Sequence, residues 1–371
     1  MVKSELTVKR FLGKKGFQAL RRDWQTLAES VSFRSFYQHP AWFQAYFDRP
    51  SGFSNDIEFR CVYQGDRLLA VLPLTFRPRL RGLMLEAICP TSGGLYMPDI
   101  VVDDGVDKQL IWHVIRNPPG PEKLPKWDVF SSSAVLESSA IASCIGQVAA
   151  RRSAESKADR CTFIDIINYD DAYKALKKKF RGNLNNARNR LQAQDSFEFS
   201  LITDSNDMDW AYENFVELEM SGWKGKKENK KEHYPAPAAI RLKKSKYLFY
   251  KNVVDEFAEI KSTEICFLKV DGRTIGAQIL ILLGETSYLL KTAFDESAKG
   301  YSPGHLMIDF ALRRYSSEET IKSMCLITDY DWFKYWNPRY VNYTNVGNCN
   351  ATVGGQLYRG ILKFRDLLKG S

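Results

Sequence analysis

The chain has 371 residues, of which 44% are hydrophobic and 13% aromatic, with 14 prolines spread along it; this excludes a disordered chain and gives room for two cores of ordinary domain size. A net charge of +9, from 53 basic and 44 acidic residues, suits acidic partners such as nucleotide cofactors, acidic carrier proteins, anionic lipid head groups or nucleic acid, without choosing among them. The seven cysteines are odd in number and never in CxxC spacing, which excludes a disulfide framework or a zinc ribbon and fits a reducing compartment.

The opening run MVKSELTVKRFLGKKGF lacks the apolar core of a signal peptide, and no window reaches the ~20 apolar residues that cross a bilayer, so a cytoplasmic protein is expected. Trp24 to Phe47 is aromatic and helix-like. Ile57 to Phe76 then reads as a strand, a QGD turn and a second strand. The polar segment Arg151 to Arg160 is the boundary candidate, with Cys161 to Ile167 as the first strand of the second half.

From Asp170, a plausible cap, the residues Tyr173, Leu176, Phe180, Leu184, Ala187 and Leu191 recur at helical spacing. The other face of this helix carries Lys174, Lys177, Lys178, Lys179, Arg181, Arg188 and Arg190. It is either a solvated face or a landing surface for an acidic acyl carrier protein.

Met208 to Met220 predicts a helix in which Met208, Ala211, Tyr212, Phe215 and Leu218 share an arc, and Glu219 falls inside it. A carboxylate there is a general base, a binder of a substrate ammonium, or a partner locked to an arginine or lysine. Trp223 and Lys224 open the cationic run WKGKKENKKEH, which is a solvated loop or a flap in which Trp223 stacks on a sugar face.

Glu264 to Leu283 repeats the strand, DG turn and strand of the first half, and Arg67 and Arg273 fall at the same point after each turn. A duplicated α/β module is the simplest account. Ser287 to Tyr315 predicts a strand feeding a helix start, with Ser302 as cap, Pro303 at the first helical position and Gly304 removing a side chain. Free N–H groups there suit the pyrophosphate of a carrier such as coenzyme A, so Tyr301, Ser302, Pro303, Gly304, His305 and Leu306 are the cofactor-binding candidates.

Alternation places Lys291 on one face with Leu289 and Ala293, where a cation could polarise a thioester carbonyl or hold a phosphate, or else reach for solvent. Asp331, after an apolar strand at Met324 to Thr328, is a second base candidate or a turn residue. His39, His113 and His233 share no ligand spacing, so no metal is expected.

FVELEMSGWKGKK (215–227), FLKVDGRTIGAQILI (267–281), SYLLKTAFDESAKGYSPGHLM (287–307) and DYDWFKYW (329–336) together resemble the acetyltransferase-like domain of the CelD type. That group lies within the GNAT superfamily and is related to the FemAB aminoacyl transferases. The resemblance covers about 160 to 371 and is diffuse before that, in FYQHPAWFQAYF and PLTF. It implies an α/β protein of two tandem GNAT-like domains, each a mixed, mostly antiparallel sheet flanked by helices: 1–160, structural or acceptor-binding, and 161–371, the acyltransferase domain.

The chemistry implied is transfer of an acyl group from acetyl-CoA or another acyl-CoA to an amine, with no permanently bound cofactor. The acceptor implied is an amino sugar of an exopolysaccharide or other cell-envelope glycan. In those roles Glu219, Lys291, Asp331 and Tyr330 are the catalytic candidates, and Trp223, Lys224, Lys334 and Trp336 the substrate-binding ones. Related sequences carry Tyr-Lys where this chain has Phe333-Lys334, which leaves Tyr330 or Tyr335 to serve the departing thiolate.

Two alternatives stand beside this reading. One is a FemAB-like aminoacyl transferase acting on a peptidoglycan precursor, although the charged heptad hairpin that would favour tRNA is missing. The other is a non-catalytic scaffold of a polysaccharide-synthesis complex, held peripherally at the inner membrane surface by its charge. DNA is not an expected partner.

Overall fold

The computed structural model describes residues 5–32, 35–49, 56–90, 97–119, 124–145, 160–166, 168–225 and 238–367. The chain forms two compact units, one of Met1–Phe43, Gly52–Asp159 and Val341–Ser371, the other of Gln44–Ser51 and Arg160–Tyr340. The predicted second domain of 161–371 is therefore corrected at its end, because Val341–Ser371 belongs with the first unit. The polar segment 151–159 lies outside the described residues.

The first stretch of chain supplies β1 (Leu6–Leu12), α1 (Gly13–Ser30), α2 (Pro40–Phe47), β2 (Glu58–Gln64), β3 (Arg67–Arg79), β4 (Met84–Ile88), β5 (Val101–Val102), α3 (Lys108–Arg116), β6 (Val129–Leu136) and α4 (Ala140–Ile145). The next supplies β7 (Arg160–Asp165), α5 (Tyr169–Ala175), α6 (Lys178–Gln192), β8 (Phe197–Ile202), α7 (Met208–Ser221), α8 (Lys244–Glu259), β9 (Thr263–Val270), β10 (Arg273–Leu283), β11 (Thr286–Phe294), α9 (Pro303–Glu318) and β12 (Ser323–Cys325). β13 (Arg339–Cys349) and α10 (Val353–Leu367) follow.

The duplication expected from the two hairpins extends to the whole topology. β1, α1, α2, β2, β3, β4, α3 and β6 recur in the same order as β8, α7, α8, β9, β10, β11, α9 and β12. The first sheet runs β1, β2, β3, β4, β6, β13, with β5 set against β3, and the second runs β8, β9, β10, β11, β12, β7. In each, three antiparallel pairs lead to a parallel pair, β4 with β6 and β11 with β12, and a last antiparallel strand closes the row. Each is a mixed, mostly antiparallel sheet flanked by helices.

The matching hairpins are built on matching chemistry. Gln64 faces Arg67 and Val270 faces Arg273 across two-residue turns, and Gly65, Asp271 and Gly272 take the positive φ that such turns need. Each following arginine then pairs with an aspartate, Arg67 with Asp103 and Arg273 with Asp295.

The core of the first unit joins α1 and α3 to the sheet: Phe17, Leu20, Trp24 and Leu27 form the buried stripe of α1 at helical spacing, and Ile111, Trp112 and Ile115 that of α3. In the second unit Phe180, Leu184, Ala187 and Leu191 of α6, with Leu306, Met307, Ala311 and Leu312 of α9, pack on Cys266, Leu268, Leu280 and Leu289 of one sheet face. α7 and α8 lie on the other face, where Trp210 meets Phe267.

Three local expectations are corrected. The helix predicted from Asp170 is two helices: Asn168, not Asp170, caps α5, and Leu176 turns extended before α6 starts. The strand read at Met324 to Thr328 is shorter and earlier, Ser323–Cys325. Simple alternation fails in β11, where Ile279 faces Lys291 but Leu280 faces Leu289, so a β-bulge at Leu290 puts Lys291 on the face opposite Leu289. That is the face carrying α7 and α8.

Candidate active site

A cavity of about 500 Å³ opens in the second unit where β11 outruns its parallel neighbour. Pairing with β12 ends at Tyr288 and Cys325, yet β11 continues to Phe294. Lys291, Thr292, Ala293 and Phe294 from this overhang line the cavity. Pro303, Gly304 and His305 of α9, with Lys299 and Ser302, form one wall; Glu219, Gly222, Trp223 and Lys224, with Lys246 of α8, form another; Tyr330 and Trp332 complete it.

The α9 wall differs in detail from the cradle of amides expected there. Ser302 sits at the cap position in a left-handed conformation, φ 53°, and its side chain makes no capping bond. Pro303 has no N–H, and the N–H groups of His305 and Leu306 both donate back to Ser302 O, at 3.0 and 3.2 Å. Gly304 N–H is thus the amide of this turn left for an anion. A side chain at Gly304 would meet the Trp332 ring at 3.7 Å, so the glycine also sets the width of the opening. Of the six residues predicted here, Tyr301 and Leu306 do not line the cavity; both pack into the core.

His305 is held by its neighbours. Trp336 Nε1 donates to His305 Nδ1 at 3.2 Å, and the Phe180 ring stands 4.9 Å away. Burial pulls its proton affinity down from 6.5 to about 4, so the ring is neutral at physiological pH.

On the opposite wall, Glu219 is 3% exposed. Its Oε1 accepts from Lys224 Nζ at 3.0 Å and its Oε2 from the Ile240 N–H at 2.7 Å, so the carboxylate ties the end of α7 to the residues before α8. Lys224 also donates to Thr292 O at 2.7 Å, fastening that wall to the β11 overhang. Burial, helped by nearby Lys291, lowers the Lys224 proton affinity in spite of Glu219. Lys246 is lowered too, first by burial and then by Lys291.

Lys291 Nζ stands 4.3 Å above the centre of the Tyr250 ring. Burial works against its charge, but Tyr250, with Glu219 and Tyr330, more than offsets that and leaves it above its usual value. Burial would raise the Tyr250 phenol; Lys291 and Lys246 outweigh it, and the phenol is drawn below its usual value.

The structure brings Glu219, Lys291, Tyr330, Trp223, Lys224, Ser302, Pro303, Gly304 and His305 together around one space. Asp331 and Lys334 are corrected: both are largely exposed, 3.9 Å apart, on the outside of the turn whose Tyr330 and Trp332 face inward. Trp336 is likewise a buried support for His305 and not a cavity wall. The flap expected in the cationic run lies, from 226 to 237, outside the described residues. Lys246, Tyr250, Lys299 and Trp332 were missed. Lys246 and Tyr250 stand four apart on α8, a spacing that puts them on one face, but only the fold brings that face to β11.

Residues 178–335, from the start of α6 to just past Trp332, match the Acetyltransferase (GNAT) domain family. This segment is similar to a GNAT acetyltransferase domain. The match holds every residue of the cavity, and the recurrence of its element order in the first unit makes the chain a tandem of GNAT-like units. No curated protein sequence matches the chain. Among solved structures, FemX is similar in fold, with a TM-score of 0.59 at 12% identity over 92% of this chain and 98% of that one. A protein of unknown function from Bacteroides thetaiotaomicron gives a TM-score of 0.51 at 14% identity over 90% and 97%.

An acyl transferase of this class needs a place for the thioester donor, an electrophile at its carbonyl and a route for the acceptor proton. The cavity offers an open helix start, a charged lysine and a carboxylate in one space.

Proposed function

We propose that the chain is an N-acyltransferase that moves an acyl group from acyl-CoA to a primary amine, an amino sugar of a cell-envelope glycan. The observation that carries this reading is the cavity itself, with an uncapped helix start at one wall and a Glu219, Lys224 and Lys291 cluster at another, where β11 keeps its pairing with β10 but runs past its pairing with β12.

In this reading Gly304 N–H, the α9 dipole and Lys299 take the donor phosphates. The overhanging β11 backbone lies beside the donor's amide-bearing arm as a further strand would. Lys291 donates to the thioester oxygen as charge develops on it. The amine nitrogen attacks the carbonyl carbon, the C–S bond breaks, Glu219 takes the nitrogen's proton and Tyr330 returns one to the sulfur. Trp223 covers the acceptor. The exposed Lys177, Lys178 and Lys179 at the start of α6 suit an acidic carrier protein as an alternative bearer of the thioester.

The test is thermal unfolding with coenzyme A, NAD and ATP in turn. The expected outcome is a rise in Tm with coenzyme A alone, lost in Gly304→Val. No rise with coenzyme A, or an equal rise with all three, refutes the donor assignment.

A further inference from the structure

The charge in the cavity does not balance. Among the described residues, four lysines line it, Lys224, Lys246, Lys291 and Lys299, against one carboxylate, Glu219. Glu219 answers Lys224. In the reading above, Lys299 and Lys291 serve the donor, at its phosphates and at its thioester oxygen. Lys246 remains on the α8 side, and among the described residues its hydrogen-bond partner is the Ala238 carbonyl and no carboxylate.

A carbonyl holds an ammonium in place but does not cancel its charge, and a half-buried ammonium is disfavoured until a counter-charge reaches it. Burial, and then repulsion from Lys291, lowers the proton affinity of Lys246. An acceptor that was only an amine, entering as a cation, would meet the wrong sign.

We infer that the acceptor carries an oxyanion, a carboxylate or phosphate, beside its amine, and that Lys246 binds this group while the amine points towards Glu219. The inference rests on the acyltransferase reading for its chemistry but not for its binding, which can be measured without a donor. The cavity's apolar walls, Trp223, Phe294 and Trp332, then pack the body of the acceptor.

The experiment compares glucosamine, glucosamine 6-phosphate and 2-amino-2-deoxyglucuronate, by calorimetric binding and by release of free coenzyme A from acetyl-CoA. The anionic amines should be favoured over glucosamine by about 30-fold, the worth of one charge-assisted hydrogen bond. Lys246→Met should remove most of that preference and Lys246→Arg restore it. Whichever of the phosphate and the carboxylate binds more tightly identifies the oxyanion. Equal binding of neutral and anionic amines, or a preference that survives Lys246→Met, overturns the inference. If anionic amines bind as expected but no coenzyme A is released and coenzyme A leaves Tm unchanged, the acyl-transfer reading falls and the anion site stands.

Discussion

The two units share one order of strands and helices and differ at the end of the fourth strand of that order. In the first, β4 ends at Ile88, the last residue of its parallel pairing with β6. In the second, β11 runs on from Tyr288 to Phe294 and carries a bulge that its counterpart lacks. The helices that follow differ in the same sense: Asp107 caps α3 by accepting from Gln109 N at 2.9 Å, whereas Ser302 leaves α9 uncapped. The lesson is that a GNAT-like path alone does not make a site. An overhang, a bulge and an open helix start do.

That comparison can be broken most severely at Lys291, which lies on the overhang past the last parallel pair. Lys291→Met should lower kcat by about 100-fold to 1000-fold, the cost of removing one donor to a developing oxyanion. Unfolding should shift little, since no carboxylate is left unpaired. Steady-state turnover beside thermal unfolding separates the two effects.

Acid should move the units in opposite directions. His305 binds a proton at about 4 folded and near 6.5 unfolded, so as pH falls through this window the unfolded chain takes up more protons and the second unit loses about 3 kcal/mol. Asp99 is pushed up to about 6 by burial, its three backbone donors notwithstanding. Its folded form therefore takes the proton first, and the first unit gains stability between pH 6 and 4. Amide exchange in α9 and α4 at pH 7 and 5 reads both. His305→Gln should abolish the acid loss in α9; a loss that persists contradicts a neutral buried imidazole.

The two helix starts give a smaller contrast. Asp107→Ala should destabilise the first unit by about 1 kcal/mol, while Ser302→Ala, with no capping bond to lose, should stay within a few tenths. Denaturant titration of both variants checks this. Smallest of all, Arg67→Ala and Arg273→Ala should each cost at most about 0.5 kcal/mol, because both arginines are two-thirds exposed. Their effects should match, since they hold the same position in the repeat.

What could be read from the sequence was local. The hairpins showed because a DG turn between alternating runs is a short-range signal. The α7 arc showed because helical spacing alone places Glu219 among Phe215, Leu218 and Tyr212. Pro303 marked the start of α9. Features that depend on distant pairing were hidden. The bulge at Leu290 inverts the side on which Lys291 lies and leaves no mark in its alternation. Whether Glu219 is free or tied is decided by Lys224 and Ile240. Tyr330 and Asp331 are neighbours in sequence, and only the path of the turn sends one inward and the other out. Lys246 joins the site through α8, which nothing in its own segment announces.

The return of residues 341–349 to pair with β6 sets a timetable for synthesis. β6 leaves the ribosome about 200 residues ahead of that strand, which at ordinary elongation rates is about 10–40 s. Throughout that interval the earlier-made half has a raw sheet edge, while the later-made half is being made and holds all of its strands once β12 has been added, before β13. The half translated second can therefore complete its own strands first, and a message cut short before codon 341 would strand the other half with an edge open to aggregation.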